Sequence, residues 1–515
     1  LYDVVGDTVT ITGYEGPGGA VSIPATIEGN PVTAIGASAF IRKTNIQSIV
    51  LEGNIESIGS FAFFSCSNIV TVALNPGVTQ IGNNAFGDCR ALVQIDFPDS
   101  LQTLGTDAFQ NCSALTTVTG GNGLVTIGER AFYQCSNLKS VALGPQLMTI
   151  GKTAFGSCAA LESITLPESL KTIEQRAFQY CHSLDQLDIP AGVTTIGNQQ
   201  FPYCHGLTSI NVDPANPNYS SIDGVLFNKQ QNVLLAYPGG KQGGYEVPSG
   251  VQTIAETAFS GAIHLSGVDL GAEVTTIGFA AFAACPSLGS VEIPAGVTFI
   301  DARAFTDCPD MESIQVAPGN PAYSSNDGVL FNQDETVLLQ FPGGRGGLYI
   351  IPSTVTQVAT FSFALNPSLT EVVVPSSVQT LENLAFYFCR ALRGVYFGGE
   401  PPALGSSSIF TSSSLATGYH RPSAPGWGSD FGGIPVAEWK PTLITRDRSF
   451  GIENGRMQFT VLWSEDETVA VYARPDWTTG DWNKVSDLQI ADYTGSFTDP
   501  MTATQPAYFY QVQVE

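Results

Sequence analysis

The repeat unit of this chain is clearest between positions 150 and 170, which read IGKTAFGSCAALESITLPESL. Its phenylalanine, Phe155, belongs to a series in which Ala-Phe or a close variant recurs with a 23-residue period. Such a period is typical of a solenoid, because one unit of this size cannot bury its apolar face alone. Two longer steps interrupt the series, from Phe201 to Phe259 and from Phe305 to Phe363, and each equals one repeat plus a 35-residue insertion. The series consists of Phe40, Phe63, Phe86, Phe109, Phe132, Phe155, Phe178, Phe201, Phe259, Phe282, Phe305, Phe363 and Phe386.

Two spacings of apolar residues alternate inside the unit. From Phe155 to Ile164 the apolar residues step by three, as suits an irregular turn with one face inward. From Ile164 to Leu166 the step is two, which is the strand period. Pro167 then ends the strand, because it has no N–H to donate to a ladder. We therefore predict a mainly β solenoid of thirteen 23-residue coils with two 35-residue insertions.

The two insertions resemble each other. Residues 216–228 read NPNYSSIDGVLFN, and residues 320–332 read NPAYSSNDGVLFN. Asp-Gly followed by Val-Leu-Phe indicates a tight turn and a strand. We expect each insertion to form a β-hairpin-like excursion within an enlarged coil, so that the stack of coils continues through it.

The ends of the array differ in composition from the repeats. Terminal coils need caps, since open strand edges invite aggregation. We assign residues 1–34 to an N-terminal β cap and residues 35–439 to the solenoid, with residues 398–439 as its closing cap. All five tryptophans lie after position 426, and the final segments alternate as half-buried strands do. Residues 441–515 are therefore predicted to form a small C-terminal β-sandwich.

The ten cysteines fill a single repeat position, the third after the phenylalanine. Lys43, Ala262 and Asn366 take that position in the other repeats, so it tolerates alanine. Free cysteine behaves as a small apolar residue, which favours a buried, reduced ladder. Adjacent coils would also bring the sulfurs near enough to form disulfides. A metal site is excluded, because each repeat supplies one sulfur and no paired histidine. The position is filled by Cys66, Cys89, Cys112, Cys135, Cys158, Cys181, Cys204, Cys285, Cys308 and Cys389.

The charge of the chain bears on its partners. With 46 acidic and 21 basic residues, the formal net charge is −25. Nucleic acids and anionic membranes are bound through basic patches, so we expect neither as a partner. No stretch of about 18 to 20 apolar residues occurs, so we expect no membrane-spanning segment.

The repeat string Ile-Gly-x-x-Ala-Phe-x-x-Cys-x-x-Leu-x-x-Val/Ile-x-Leu/Ile-Pro resembles the BspA-like (Treponema pallidum-type) leucine-rich repeat. The segments 13–19 and 426–428 resemble the caps of bacterial members, so the resemblance covers about residues 1–439. It implies a leucine-rich-repeat solenoid from a secreted or bacterial cell-surface protein, often one that attaches to host proteins or to other cells. The family has no shared catalytic residues that could be carried over to this chain.

The sequence contains no recognisable catalytic or cofactor-binding motif. The four histidines are scattered, and His182 and His205 each follow a ladder cysteine, where an exposed turn residue is expected. The motifs of zinc proteases, serine hydrolases and phosphate-binding loops do not occur. The acidic segments 213–223 and 465–467 lack the spacing of a calcium loop. We therefore predict no enzyme activity, no cofactor and no metal.

The strands offer a better place for a binding site. In each Leu-x-x-Ile-x-Leu segment, the residue between the last two apolar side chains should point to solvent. This outward row is mostly small or polar, which fits a solvated sheet face or a recognition surface, and only Tyr396 resembles a protein-binding anchor. The row consists of Val50, Ala73, Asp96, Thr119, Ala142, Thr165, Asp188, Asn211, Asp269, Glu292, Gln315, Val373 and Tyr396.

Our functional prediction is a monomeric extracellular or cell-surface binding protein that presents a long rigid surface to a protein or glycan ligand. The alternative is a structural surface or matrix component in which the array is a spacer. An enzyme ranks third. The acidic residues Asp188, Asp269 and Glu292 are the candidate ligand-facing residues of the strands. Three tyrosines of the first insertion could add aromatic anchors: Tyr219, Tyr237 and Tyr245.

Overall fold

The computed structural model describes residues 1–444 except 200 and 423, and also 451–453, 456–463, 468–474, 481–499 and 509–514. The described residues form short β-strands joined by turns and contain no helix. The chain divides into two compact units, residues 1–287 with 299–304, and residues 288–298 with 305–515. The prediction of a mainly β solenoid of stacked coils is confirmed.

One sheet of the first unit, the Thr-Ile ladder, contains the short strands that precede the repeat phenylalanines from Phe40 to Phe201. Neighbouring strands are parallel and shifted by one repeat, so that Thr149 pairs with Thr172 and Ile150 with Ile173. Strand Tyr2–Val5 begins the sheet and pairs antiparallel with the next strand. The strands are Tyr2–Val5, Thr8–Ile11, Thr26–Ile27, Asn30–Ile35, Ser57–Ile58, Gln80–Ile81, Thr103–Leu104, Thr126–Ile127, Thr149–Ile150, Thr172–Ile173 and Thr195–Ile196.

The strands that follow each repeat leucine form the second column, whose outward surface we call the strand face. Here too the pairing is parallel and in register, with Ile95 beside Val118 and Asp96 beside Thr119. Buried and exposed residues alternate along these strands, as expected for a sheet with one face on the core. The first unit contributes Gly19–Ile23, Ile46–Leu51, Thr71–Ala73, Gln94–Phe97, Thr117–Gly120, Ser140–Val141, Ser163–Ile164, Gln186–Ile189 and Ser209–Val212.

The turn around the phenylalanine forms a third set of hydrogen bonds between coils. The N–H of Thr153 donates to the carbonyl of Gln175 at 3.0 Å, and that of Ser157 to Gln179 at 2.8 Å. Both donors have left-handed backbone, with φ of 54° and 60°. The predicted irregular turn is thus hydrogen-bonded to the next coil, even though the turn contains no strand.

The core is a column of stacked phenylalanine rings. Phe155 lies between Phe132 and Phe178, with ring centroids 5.4 and 5.6 Å away and planes within 6° of parallel. Its side chain is fully buried. Because each ring packs on the rings of both neighbouring coils, burial in one coil depends on the next.

The ladder cysteines are all buried and free, as expected for a reduced ladder. The Cys158 thiol donates to the carbonyl of Phe132 in the preceding coil, with sulfur and oxygen 3.2 Å apart. Ser413 makes the same contact through its hydroxyl, 2.6 Å from the carbonyl oxygen of Phe386. The position therefore favours a small hydrogen-bond donor, which a free thiol supplies.

The first insertion begins with the predicted hairpin. Strands Tyr219–Ile222 and Val225–Asn228 pair antiparallel. Strand Val233–Ala236 then pairs antiparallel with Val225–Asn228 and parallel with Thr253–Ile254, which places it in line with the Thr-Ile ladder. This sheet continues through Thr276–Ile277 to Phe299–Ile300, while Gly243–Glu246 pairs with Leu265–Asp269 in the second column.

The insertion is more than an excursion. Tyr237 stacks on Phe259 at 4.8 Å, although it precedes that ring by one position less than a full repeat, and so occupies the phenylalanine column. In the second insertion Phe341 packs against Phe363 at 5.1 Å. Each insertion therefore completes a coil of its own. The count of thirteen coils is too low, and Phe410, stacked 5.1 Å from Phe386, extends the column once more.

The second unit repeats this architecture. One of its sheets, which includes the hairpin of the second insertion, consists of Tyr323–Asn326, Val329–Asn332, Val337–Gln340, Gln357–Val358, Thr380–Leu381 and Ala403–Leu404. Its strands of the second column are Ser290–Ile293 and Ser313–Val316, then Gly347–Ile350, Leu369–Val374, Gly394–Phe397, Thr417–His420, Ile434–Glu438 and Asp430–Phe431.

The C-terminal part of the second unit contains two further antiparallel sheets. One consists of Thr442–Ile444, Gly451–Glu453, Arg456–Leu462 and Thr494–Thr498. The other consists of Asn483–Gln489, Thr468–Arg474 and Phe509–Val514. We call these strands the C-terminal module.

Candidate functional site

The strand face of the first unit is open to solvent along its whole outward row. Every residue predicted to point outward there is exposed, including Asp96 and Asp188. The alternation arises because the inward neighbours of each strand fill the core. The outward direction predicted from the repeat is confirmed at Val50, Ala73, Asp96, Thr119, Ala142, Thr165, Asp188 and Asn211.

Asp188 lies in a shallow groove of about 400 Å³ on the strand face. Polar residues of the groove include Thr165, Glu168, Asn211 and Asp213, so it carries three carboxylates and no base. The Asn211 amide donates to the Asp188 carboxylate at 2.8 Å. This bond orients the carboxylate but leaves it exposed, so the groove presents negative charge to solvent.

Asp269 lies in a second, wider groove of about 930 Å³ beside the first insertion. Glu246 is its cross-strand neighbour in register, and Asp223 also lines the groove. Lys241, the only base among the described residues that line it, donates from Nζ to the backbone carbonyl of Asp223 at 2.6 Å. The groove is thus predominantly acidic, and its lysine is engaged by the hairpin.

Tyr237 does not lie on the surface. Its side chain is 3% exposed, and its ring packs 4.8 Å from Phe259 and 5.0 Å from Tyr245. Burial raises the pKa of Tyr237 to about 12. The expectation that Tyr237 supplies an exposed anchor is wrong, because the insertion uses this ring to continue the aromatic core.

The other two tyrosines of the insertion are half-buried and have structural contacts. The Tyr219 hydroxyl accepts the N–H of Ile196 at 2.8 Å, at the last strand of the Thr-Ile ladder. Tyr245 packs on Tyr237 and Phe259, and burial raises the pKa of its hydroxyl. Their rings stabilise the inserted coil, which leaves little aromatic surface for a ligand.

Glu292 lies in the second unit, on strand Ser290–Ile293. Its side chain is exposed, and its neighbours Val291 and Ile293 are buried. The alternation predicted for this strand is therefore confirmed. Together with Asp188 and Asp269, it makes three of the six candidate residues exposed.

Two residues of the outward row, Val373 and Tyr396, were expected to face solvent but are buried. They are paired in register and are 0% and 4% exposed. Trp439 packs 5.1 Å from the Tyr396 ring, and the same apolar cluster includes Phe459 and Trp463. The C-terminal module therefore covers this part of the row, and Tyr396 is an anchor for the chain's own strands.

The described residues contain no group of three or more histidine, cysteine or acidic side chains that could hold a metal ion. The expectation of an exposed turn residue is confirmed at His182 and is wrong at His205. His182 is exposed, but His205 is half-buried and its ring lies 4.9 Å from that of His182. Burial, with His182 and His264 nearby, holds the pKa of His205 below its usual value.

The repeats match the model of one protein family. Residues 33–144, 115–233, 243–331 and 349–418 match the BspA type leucine-rich repeat region. The matched segments cover well over half of the chain. This chain belongs to the BspA-type leucine-rich-repeat family. A comparison with curated protein sequences gave no match.

Several solved structures resemble this family member. A leucine-rich cell surface protein from Faecalibacterium prausnitzii is 24% identical, over 82% of this chain and 93% of the other, with a TM-score of 0.48. The T. pallidum leucine-rich repeat protein is 32% identical, over 36% and 87%, with a TM-score of 0.35. The pneumococcal vaccine antigen PcpA is 20% identical, over 82% and 92%, with a TM-score of 0.41. In the described part of our chain, no helix is long and apolar enough to cross a membrane.

Proposed function

We propose that this BspA-type protein is an extracellular or cell-surface binding protein whose open strand face recognises a protein or glycan ligand. The observation that carries the proposal is the contrast between an exposed acidic row and a row that the chain itself covers. A regular sheet face with solvent-exposed outward side chains offers a ligand a long, rigid contact surface. Binding to such a surface loses little conformational entropy, because the stacked coils are already ordered.

The acidic grooves define where the ligand binds. Asp188 and Asp269 each lie in a groove with further carboxylates, and Glu292 is an exposed acid of the same row in the second unit. Exposed charges of one sign speed the encounter with an oppositely charged partner and make binding depend on salt. The proposed ligand therefore presents basic or hydrogen-bond-donating groups to the strand face.

The proposal includes the organisation of the chain. Residues 1–34 form the N-terminal cap, residues 35–439 the solenoid with its closing cap at 398–439, and residues 441–515 a small β-sandwich. The protein acts as a monomer, is secreted or held at the bacterial surface, and has no enzyme activity. The proposal is supported by family membership and by the tryptophan-rich composition of the final segment.

Charge reversal tests the binding role. A triple variant, Asp188→Lys, Asp269→Lys and Glu292→Lys, should weaken ligand capture from host matrix proteins and bacterial surface extracts. The matched control is Asp334→Lys, an exposed acid in the second insertion outside the outward row. Biolayer interferometry at low and high salt should show a smaller salt dependence for the triple variant than for the control.

Two outcomes would contradict this proposal. Equal binding by the triple variant and the control would move the binding site away from the acidic strand face. A protein that captures nothing from either source would favour the alternative role as a spacer, in which the array only sets a distance.

A further inference from the structure

Four aromatic side chains meet on the turns of two adjacent coils, next to the first insertion. Tyr180 stacks on Tyr203 with ring centroids 4.7 Å apart, and His182 stacks on His205 at 4.9 Å. Within each coil the tyrosine and histidine meet edge to face, at 6.1 and 6.2 Å. We call these four residues the ring cluster. Its rings repeat at the spacing of the coils, and we call the tyrosine and histidine of one coil a rung.

The ring cluster is closed at one end. The backbone of Gly261 lies against Tyr203, and a Cβ added to that glycine would lie 2.8 Å from the Tyr203 backbone. The glycine also has φ of +77°, a left-handed value that glycine adopts more readily than other residues. The Gly261 backbone covers Tyr203 on this side, whereas the ring cluster can be extended by a further ring next to Tyr180 and His182.

The opposite end of the ring cluster is open. The preceding coil carries Ser157 and Ala159 where the next coil carries Tyr180 and His182. Tyr180 is 38% exposed and makes no ring contact on that side within the described chain. The small side chains form a ledge one coil wide, and the rings of Tyr180 and His182 border it.

Polar groups next to the ledge have unused hydrogen-bonding capacity. Among the described residues, none forms a hydrogen bond with the Tyr180 hydroxyl or with the imidazoles of His182 and His205. A neutral imidazole offers one donor and one acceptor, and a phenol offers both. The ledge thus combines a flat apolar ring with donors and acceptors at its edge.

We propose that this ledge binds a pyranoside ring of a glycan. The sugar would lie over Ser157 and Ala159 and stack one C–H face on Tyr180, in the place of the next rung. In a stack of aromatic rings the ring centroids lie roughly 4.5–7 Å apart. A saturated six-membered ring can take the place of one aromatic ring at that spacing. Its hydroxyl groups would then bond to the free phenol and imidazole groups.

The chemistry of the ledge favours a sugar over a protein side chain. A protein anchor is held in a well-packed, desolvated pocket, whereas this ledge is shallow and open on its outer side. The open ring and unpaired polar groups match a ligand that is apolar on one face and polar at its rim. The ledge lies on the turns rather than on the strand face, so this inference does not depend on the proposed role of the acidic row.

Saturation-transfer difference NMR on the full chain tests the inference. The probes are the methyl pyranosides of glucose, galactose, mannose, fucose and N-acetylglucosamine. At least one should receive saturation, most strongly at the C–H groups of one ring face. Tyr180→Ala should weaken the affinity for that pyranoside by about five-fold or more, since the stacking partner is lost.

A second variant separates the binding site from folding. Ser157→Tyr should occupy the ledge with a protein ring and abolish binding, while the fold is retained. Tyr180 already has this left-handed backbone, with φ of 58° against 60° at Ser157. Tyr387→Ala, a turn tyrosine of the second unit, is the control and should bind like the wild type.

Three results would overturn the inference. The first is no saturation transfer to any of the five pyranosides by the wild-type chain. The second is unchanged affinity in Tyr180→Ala or Ser157→Tyr. The third is a peptide library in which wild type selects aromatic peptides that Tyr180→Ala loses, while sugars do not compete, because the ledge would then be a protein-binding site.

Discussion

Corresponding residues around the two insertions, 104 positions apart, have opposite chemistry on the outward row. Glu246, Asp269 and Glu292 in the first set correspond to Ile350, Val373 and Tyr396 in the second. The acidic residues are exposed, whereas Val373 and Tyr396 are buried beneath the C-terminal module. The same backbone therefore supports an open surface in one place and an internal interface in the other.

The two insertions make similar hydrogen bonds and similar core contacts. The difference between the two regions therefore lies in the residues of the outward row. Lys241 donates to the backbone carbonyl of Asp223, and Arg345 binds the carbonyl and carboxylate of Asp327 in the same way. Tyr237 and Phe341 both enter the aromatic column. Coil geometry thus tolerates free variation of the outward row, and that row determines what each region contacts.

The largest expected difference between the units appears at alkaline pH. Burial raises the thiol pKa of seven cysteines in the first unit, to about 11 at Cys66 and about 12 at Cys135. In the second unit burial raises the pKa of Cys389, also to about 12. Unfolded thiols ionise near pH 9, so folding is favoured by these groups below pH 9 and loses that contribution as pH rises towards 11 or 12.

Each such thiol can lower the free energy of unfolding by up to about 1.4 kcal/mol per pH unit in that window. We expect the stability of the first unit to fall more steeply between pH 8 and 10 than that of the second, because seven of its thiols have raised pKa values. All five tryptophans lie in the second unit, so their fluorescence reports it, while far-UV circular dichroism reports both. As the pH rises, the urea midpoint measured by circular dichroism should therefore fall at a lower pH than the midpoint measured by fluorescence. Parallel shifts of both midpoints would contradict this expectation.

Core substitutions should affect both units alike. Phe155→Ala and Phe386→Ala each remove a fully buried ring from the aromatic column, so each should cost about 3–5 kcal/mol. Chemical denaturation measures both losses. Tryptophan fluorescence follows the unfolding of the second unit in Phe386→Ala, and circular dichroism follows Phe155→Ala. An unchanged unfolding curve for either variant would rule out the stacked core in that unit.

Substitutions in the outward row should also change the stability of the two units by different amounts, and this difference should be smaller. Val373→Asp places a charge at a fully buried position under the C-terminal module and should cost about 3 kcal/mol. Ala142→Asp, at an exposed position of the same row in the first unit, should change stability by less than about 0.5 kcal/mol. Similar losses at the two positions would show that both are covered or that both are open.

The 23-residue period was enough to predict the stacked coils, the strand register and the buried phenylalanines. The coil count was too low because three rings of the column are out of phase with that period. Tyr237 and Phe341 each precede the next ring by one position less than a full repeat, and Phe410 follows Phe386 by one position more. A search for an aromatic residue one coil away, with a tolerance of one position, would have found all three. The insertions break the spacing because their hairpins precede the new coil.

The candidate site was predicted less completely than the fold. The outward direction of Asp188 and Asp269 follows from strand alternation alone, and the structure places both in grooves. Burial of Tyr396 could not be derived locally, because it depends on Trp439 and on strands much later in the chain, such as Arg456–Leu462. The ring cluster joins residues of successive repeats, so it is visible only when equivalent turn positions of neighbouring repeats are compared.

Thiol labelling tests most directly whether the outward row is open in the first unit and covered in the second. The ten native cysteines are buried, so the wild-type chain should give little background with a maleimide under native conditions. Thr165→Cys should react within minutes, whereas Val373→Cys should react only after denaturation. Equal native labelling of the two variants would contradict the account, because the C-terminal module would then not protect the second row.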